Sequence, residues 1–204
     1  MHPAIITLVP DTQKLAGKIA AALGGEIRHG AGQITAAYAA GQPVIGICAA
    51  AILIRKLAPL LDEKHTSSPV IAVSADGAHI VPLTGGHHGA NTLARKIATI
   101  TGGTAAITTA SDTRFGVALD DPPAGYTLAN PQDAKPFIMQ LLNGEKVQIQ
   151  AEAEWLKDSR LPTGPDATLS IDVTTSPACG GPDRLVYHPK TVCIGVGCAR
   201  GAPS

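Results

Sequence analysis

The run AIITLV at residues 4–9 is apolar and β-branched, and it stops at Pro10-Asp11, after which Leu15, Ile19, Ala22 and Leu23 recur on one helical face. The same order returns at residues 43–48, where PVIGIC leads directly into an Ala/Ile/Leu helix that finishes near Leu61. A strand feeding a helix, twice in succession, favours parallel strands laid side by side with helices over the sheet. Asp11 stands where it can cap the first helix, and Gly24-Gly25 end it.

The stretch PVIAVSADGAHIVPL, residues 69–83, places two alternating apolar runs around Ser74-Ala75-Asp76-Gly77-Ala78. Asp-Gly supplies the positive φ of a tight hairpin. Beyond GGHHGAN, Leu93, Ala94, Ile97, Ala98 and Thr101 repeat at helical spacing, Asn91 occupies the N-cap position, and Gly102-Gly103 close the element. Residues 105–112, AAITTASD, read as a strand running into a polar loop.

The texture then changes. DDPPAGYTLANPQDAKP, from Asp120, is rich in proline and glycine and reads as a connector, with a domain boundary near residue 114. A helix around 134–143 and the strands KVQIQ, TLSIDVT and RLVYHP predict a small α+β domain over 114–189. The expected fold is therefore α/β: an open, largely parallel sheet flanked by helices over residues 1–113, followed by that α+β domain. A buried-type strand, TVCIGVG, stands close to the end of the chain, and residues 190–204 are expected to open a further domain.

Composition narrows the function. The 204 residues carry sixteen basic and sixteen acidic side chains, which removes the footprint of nucleic-acid or anionic-membrane binding. The 3% aromatic content argues against a stacking platform for bases. Cys48, Cys179, Cys193 and Cys198 form no CxxC pair, so no structural zinc is expected. MHPAIITLVPDTQ lacks a basic region and its apolar run is too short for a signal-peptide core; Gly46, Arg55, Lys56 and Pro59 interrupt the most apolar stretch well short of a membrane span. A cytoplasmic protein is expected.

The reactive candidates cluster in one loop. Gly85, Gly86 and Gly89 admit backbone conformations closed to other residues and let a ligand approach, and a helix starting at Asn91 offers N–H groups to an anion. The pattern is neither a Walker A loop nor GxGxxG. Histidine titrates near neutral pH, so His87 or His88 can act as acid or base, while a glycine turn entering a helix is the plain structural alternative. His65, His79 and Asp112 show no metal-ligand spacing with them, and no metal site is expected. Arg55 can grip a carboxylate in a bidentate fork, whereas Lys56 reads as solvated helix surface. Thr108, Thr109 and Asp112 stand at a strand end and can supply hydroxyl or carboxylate contacts, or an Asx-type loop cap. Cys48 and Cys198 are conceivable nucleophiles, but small buried residues are the commoner reading, and no GxSxG elbow occurs.

Residues 45–112 resemble the amino-terminal region of the CbiG cobalamin-biosynthesis family, the cobalt-precorrin-5A hydrolases. The matching features are the Gly-Ile-Cys-Ala strand end, the Ile-Arg-x-Leu-Ala-Pro-Leu-Leu helix, the Asp-Gly hairpin, the Gly-His loop leading to Ala-Asn, and the Ile-Thr-Thr-Ala strand end. LLNGEKVQIQAEAEWLKDSRLP, residues 141–162, is similar to the start of the family's middle domain, and HPKTVCIGVGCARGAPS to the entry of its carboxyl-terminal domain. The resemblance implies hydrolytic opening of the δ-lactone of a cobalt-precorrin-5A-like intermediate, with release of acetaldehyde. It implies no cofactor held by the protein, because the cobalt belongs to the corrinoid substrate. His87 and His88 would be the catalytic candidates, and Arg55, Gly85, Gly86, Gly89, Asn91, Thr109 and Asp112 the substrate-binding ones. Where many family members read Ser-Gly-His-x-Gly-Gly-Ala-Asn, this chain reads Thr84-Gly85-Gly86-His87-His88-Gly89-Ala90-Asn91, so both histidines stay candidates. The alternative reading is a non-catalytic corrinoid-binding or channelling module, the front part of a fusion with a precorrin methyltransferase.

Overall fold

The computed structural model describes residues 2–61, 68–150 and 153–190. His65, Cys193, Cys198, the expected strand TVCIGVG and all but the first residue of the segment 190–204 lie outside the described residues. The chain divides into two units, Met1–Arg114 and Phe115–Ser204.

The first unit is a six-stranded sheet of order β2-β1-β3-β4-β5-β6, built from β1 (Ala4–Thr7), β2 (Glu26–His29), β3 (Val44–Ile47), β4 (Val70–Val73), β5 (His79–Thr84) and β6 (Thr104–Ala105). Every neighbouring pair is parallel except β4 and β5, which the Asp76-Gly77 hairpin joins antiparallel. Gly77 adopts φ +73°, the conformation the Asp-Gly pattern requires. Strand residues alternate between two apolar cores. Ile5, Ile45, Ile47, Ile71 and Val73 pack with α1 (Gln13–Leu23) and α4 (Ala90–Thr101). On the other face, Ala4, Ile6, Val44, Val70 and Ala72 pack with α2 (Gly32–Ala39) and α3 (Ala50–Leu57). Burial on both faces explains why β1, β3 and β4 are continuous apolar runs.

Several elements differ from expectation. β2 and α2 carry too little periodic pattern to be read: β2 is the edge strand EIRH, of which no residue is fully buried. Asp11 caps nothing; it lies within a 3-10 turn, Pro10–Thr12, that precedes α1. α3 stops at Leu57 rather than near Leu61, because Pro59 has no N–H to continue the helical hydrogen bonds, and the chain tightens into a 3-10 turn, Ala58–Leu60. β6 spans only two residues, and Asp112 belongs to a short helix, α5 (Ala110–Phe115), instead of a loop.

The second unit is a four-stranded sheet of order β7-β10-β9-β8, from β7 (Tyr126–Leu128), β8 (Val147–Ile149), β9 (Leu169–Val173) and β10 (Arg184–Pro189), with helices α6 (Pro131–Leu142) and α7 (Glu154–Lys157). The supposed connector from Asp120 is part of this fold. It holds β7 and the first turn of α6, and between them the buried Asn130 accepts a hydrogen bond from Val186 N (3.1 Å) and donates to Arg184 O (2.9 Å). Proline and glycine there shape tight turns within a packed unit. Among the described residues, no helix is long and apolar enough to cross a membrane.

Candidate functional site

Strand register fixes which edge of the sheet each loop occupies. Val70 opens β4 and pairs with Thr84, the last residue of β5, and Val70, Val44 and Ala4 lie level across the sheet. The chain leaving β5 therefore emerges beside the amino ends of β1, β3 and β4. There Gly85 (φ +75°) and Gly89 (φ +87°) bracket a 3-10 turn, Gly86–His88, closed by hydrogen bonds from His88 N (2.9 Å) and Ala90 N (3.0 Å) to Gly85 O. Left-handed backbone at both ends is open to glycine at little steric cost, which is why the motif brackets its histidines this way. His88 is exposed; His87 lies in the same turn, and its side chain lies outside the described residues.

Gly89 is the N-cap of α4, so Asn91 is a residue of the helix and not its cap. Its amide turns inward instead. Asn91 is 4% exposed, and its Nδ2 donates to Thr109 Oγ1 (2.8 Å) and to Asp112 Oδ2 (3.2 Å). One helical turn on, Arg95 donates to Asp112 Oδ1 (2.6 Å). The Asp112 side chain is 3% exposed and the Arg95 side chain 46%. A buried carboxylate is tolerated only with such partners, and here each oxygen has one. Gly86 rests against the same pair: a Cβ there would lie 3.9 Å from both Asn91 Nδ2 and Thr109 Oγ1.

Six of the expected substrate-binding residues, Gly85, Gly86, Gly89, Asn91, Thr109 and Asp112, thus come together at the carboxyl ends of β5 and β6. Arg55 does not join them. It is exposed on α3, which packs on the opposite face of the sheet from α4. Lys56 is exposed beside it, and Thr108 is exposed as well. His79 begins β5, at the other end of that strand from the histidine turn. Among the described residues no group of three metal-ligating side chains occurs. Cys48 is half-buried, and burial pushes its thiol above the usual range, which disfavours the thiolate a nucleophile needs. The residue missed in the sequence is Arg95; its i, i+4 spacing from Asn91 was the available signal, since that spacing places both on one helical face.

Residues 32–112 match the family model described as cobalamin synthesis G N-terminal. The chain is 26% identical over 173 residues to a cobalt-precorrin-5A hydrolase of Priestia megaterium, covering 73% of this chain and 46% of that protein. It is 29% identical over 189 residues to a cobalt-precorrin-5A hydrolase of Salmonella typhimurium, covering 78% of this chain and 51% of that protein. The chain thus spans about half the length of these curated relatives. A crystal structure of a cobalamin biosynthesis protein G homologue from Sulfolobus solfataricus shares the fold, with a TM-score of 0.50 at 16% identity over 92% of this chain and 60% of that one. Residues 32–112, which hold the histidine turn together with Asn91, Arg95 and Asp112, are therefore the part of the chain that is similar to the cobalamin synthesis G N-terminal family.

Proposed function

We propose that this chain opens the δ-lactone of a cobalt-precorrin-5A-like intermediate with water and releases the two-carbon fragment as acetaldehyde, acting in the cytoplasm. The observation that carries the reading is the convergence of the glycine-histidine turn with the Asn91–Asp112–Arg95 network at one edge of the sheet. The names of the curated relatives, cobalt-precorrin-5A hydrolase, support it.

The chemistry assigns roles. His87 or His88 takes a proton from water as its oxygen attacks the lactone carbonyl, and the tetrahedral oxyanion collapses to a carboxylate and an alcohol. Removing the alcohol proton then lets the adjacent carbon-carbon bond break, so that acetaldehyde leaves and the bonding pair stays on the macrocycle. The N–H groups of His88 and Ala90 close the turn on Gly85 O, so oxyanion stabilisation falls to the other N–H groups of the turn. Arg95, with one nitrogen tied to Asp112 and its side chain half-exposed, takes the part expected of Arg55: it grips a peripheral carboxylate of the tetrapyrrole. Asn91, Thr109 and Asp112 position Arg95 and Gly86. No protein-bound cofactor enters this scheme, since the cobalt is the substrate's own. A precorrin methyltransferase, fused or associated, is the further partner the reading admits.

The test is acetaldehyde release from the cobalt lactone by the chain and its variants. Replacing the reactive histidine by Gln should lower turnover about 10²–10⁴-fold, the usual contribution of a general base. Arg95→Ala should raise KM, while Arg55→Ala leaves it unchanged. Turnover surviving both His87→Gln and His88→Gln would overturn the site, and tight corrinoid binding without acetaldehyde would replace the enzyme by a binding module.

A further inference from the structure

The scheme above leaves the carboxyl edge of the parallel strands unused, although open α/β sheets place ligands there, where chains leaving neighbouring strands diverge. They diverge here on both sides of β1, from β2 and from β3. From β1 the chain passes to the face of α1, where Ala16 and Ile19 pack with Ile5; from β2 it passes to the face of α2, where Ile34 and Ala37 pack with Ala4 and Ile6. Between the two strand ends lies a cavity of about 470 Å³, walled by the Leu8–Pro10 bend and by Thr7, Gln13, His29 and Gly30. That volume suits a small metabolite.

Its polar groups are organised. Thr7 is 2% exposed, and its Oγ1 shares a 2.7 Å hydrogen bond with His29 Nδ1, which fixes the ring and leaves Nε2 for a ligand. The Gly30 N–H bonds to Thr7 O (3.1 Å), tying the two strand ends together, and no other atoms crowd the place a Gly30 side chain would take. Gln13 adds an amide at the rim, and the wall contains no carboxylate. A lining that offers an imidazole and an amide with no fixed negative charge accepts an anionic or acceptor-rich group.

We propose that this crevice is a second binding site, for a small molecule bearing a carboxylate or phosphate group held by His29 Nε2 and the Gln13 amide. It stands independently of the reaction assigned to the opposite edge. The probes are inorganic phosphate and succinate, each titrated into the isotopically labelled chain while backbone amide shifts are followed by NMR. At least one of them should give saturable shifts at Leu8, Val9 and Gly30, and whichever saturates names the headgroup class. His29→Gln and Gln13→Ala should each weaken that binding, His29→Gln about tenfold, the loss expected for one charge-assisted hydrogen bond. Absence of saturation with both probes, shifts confined to Gly85–Gly89, or unchanged affinity in His29→Gln would overturn the site.

Discussion

Asn91 shows how one buried amide joins separate stretches of chain. It reaches Thr109 and Asp112, eighteen and twenty-one residues away, and lies against Gly86 of the histidine turn. An Asn ahead of an apolar helical run reads as a cap because caps are where Asn is most favoured. Here Gly89 takes that position, since the left-handed turn already directs the chain into α4, and the Asn side chain is free to point into the unit. Asn91→Ala should therefore lower stability by about 1–3 kcal/mol, the cost of leaving a buried acceptor short of a donor. Asn91→Asp should cost more, because it sets a second carboxylate beside Asp112. Chemical denaturation checks both; an Asn91→Ala chain as stable as the parent would show that the network holds nothing together.

At the scale of elements, the hairpin between β4 and β5 was the most legible feature, and it carries a pH dependence. The Asp76 carboxylate accepts hydrogen bonds from Ser74 Oγ (2.5 Å) and Ala78 N (3.0 Å), which hold its pKa below the ordinary carboxylate value. A depressed pKa in the folded state adds stability that is present above the unfolded-state pKa and is lost as pH falls through the folded one. Asp76→Asn should thus lower Tm at neutral pH, and the gap to the parent should shrink as both are acidified; a gap constant with pH would refute the linkage. Other elements were hidden for physical reasons. β2 is a polar edge strand, and β7 lies in a proline-rich stretch whose buried contacts, such as Asn130 with Val186, are made by residues far away in sequence.

For the molecule as a whole, each unit has its own core. Phe137, Leu141, Ile171, Leu185 and Tyr187 belong to the second unit, while the sheet of the first is covered on both faces by its own helices. A chain ending at Arg114 retains all six strands and the Asn91–Asp112–Arg95 network. It should unfold in a single cooperative transition by far-UV circular dichroism, as a unit with a complete core does. A gradual, non-cooperative melt would show that residues beyond Arg114 complete its core.

The sequence by itself determined the class of the fold, because apolar periodicity records which residues must leave water: β1, β3, the Asp-Gly hairpin and α4 follow from it, and with them an open, largely parallel sheet. It also determined the glycine-histidine turn, whose backbone depends on the local chemistry of Gly85 and Gly89. Only the tertiary structure decided what surrounds that turn. Reversal of β5 carries the turn to the edge opposite the carboxyl ends of β1 and β2, α3 keeps Arg55 on the far face, and α5 brings Asp112 to Arg95. Those outcomes depend on strand order and on which face each crossover takes, which are settled when distant apolar surfaces pack together and which no local pattern encodes.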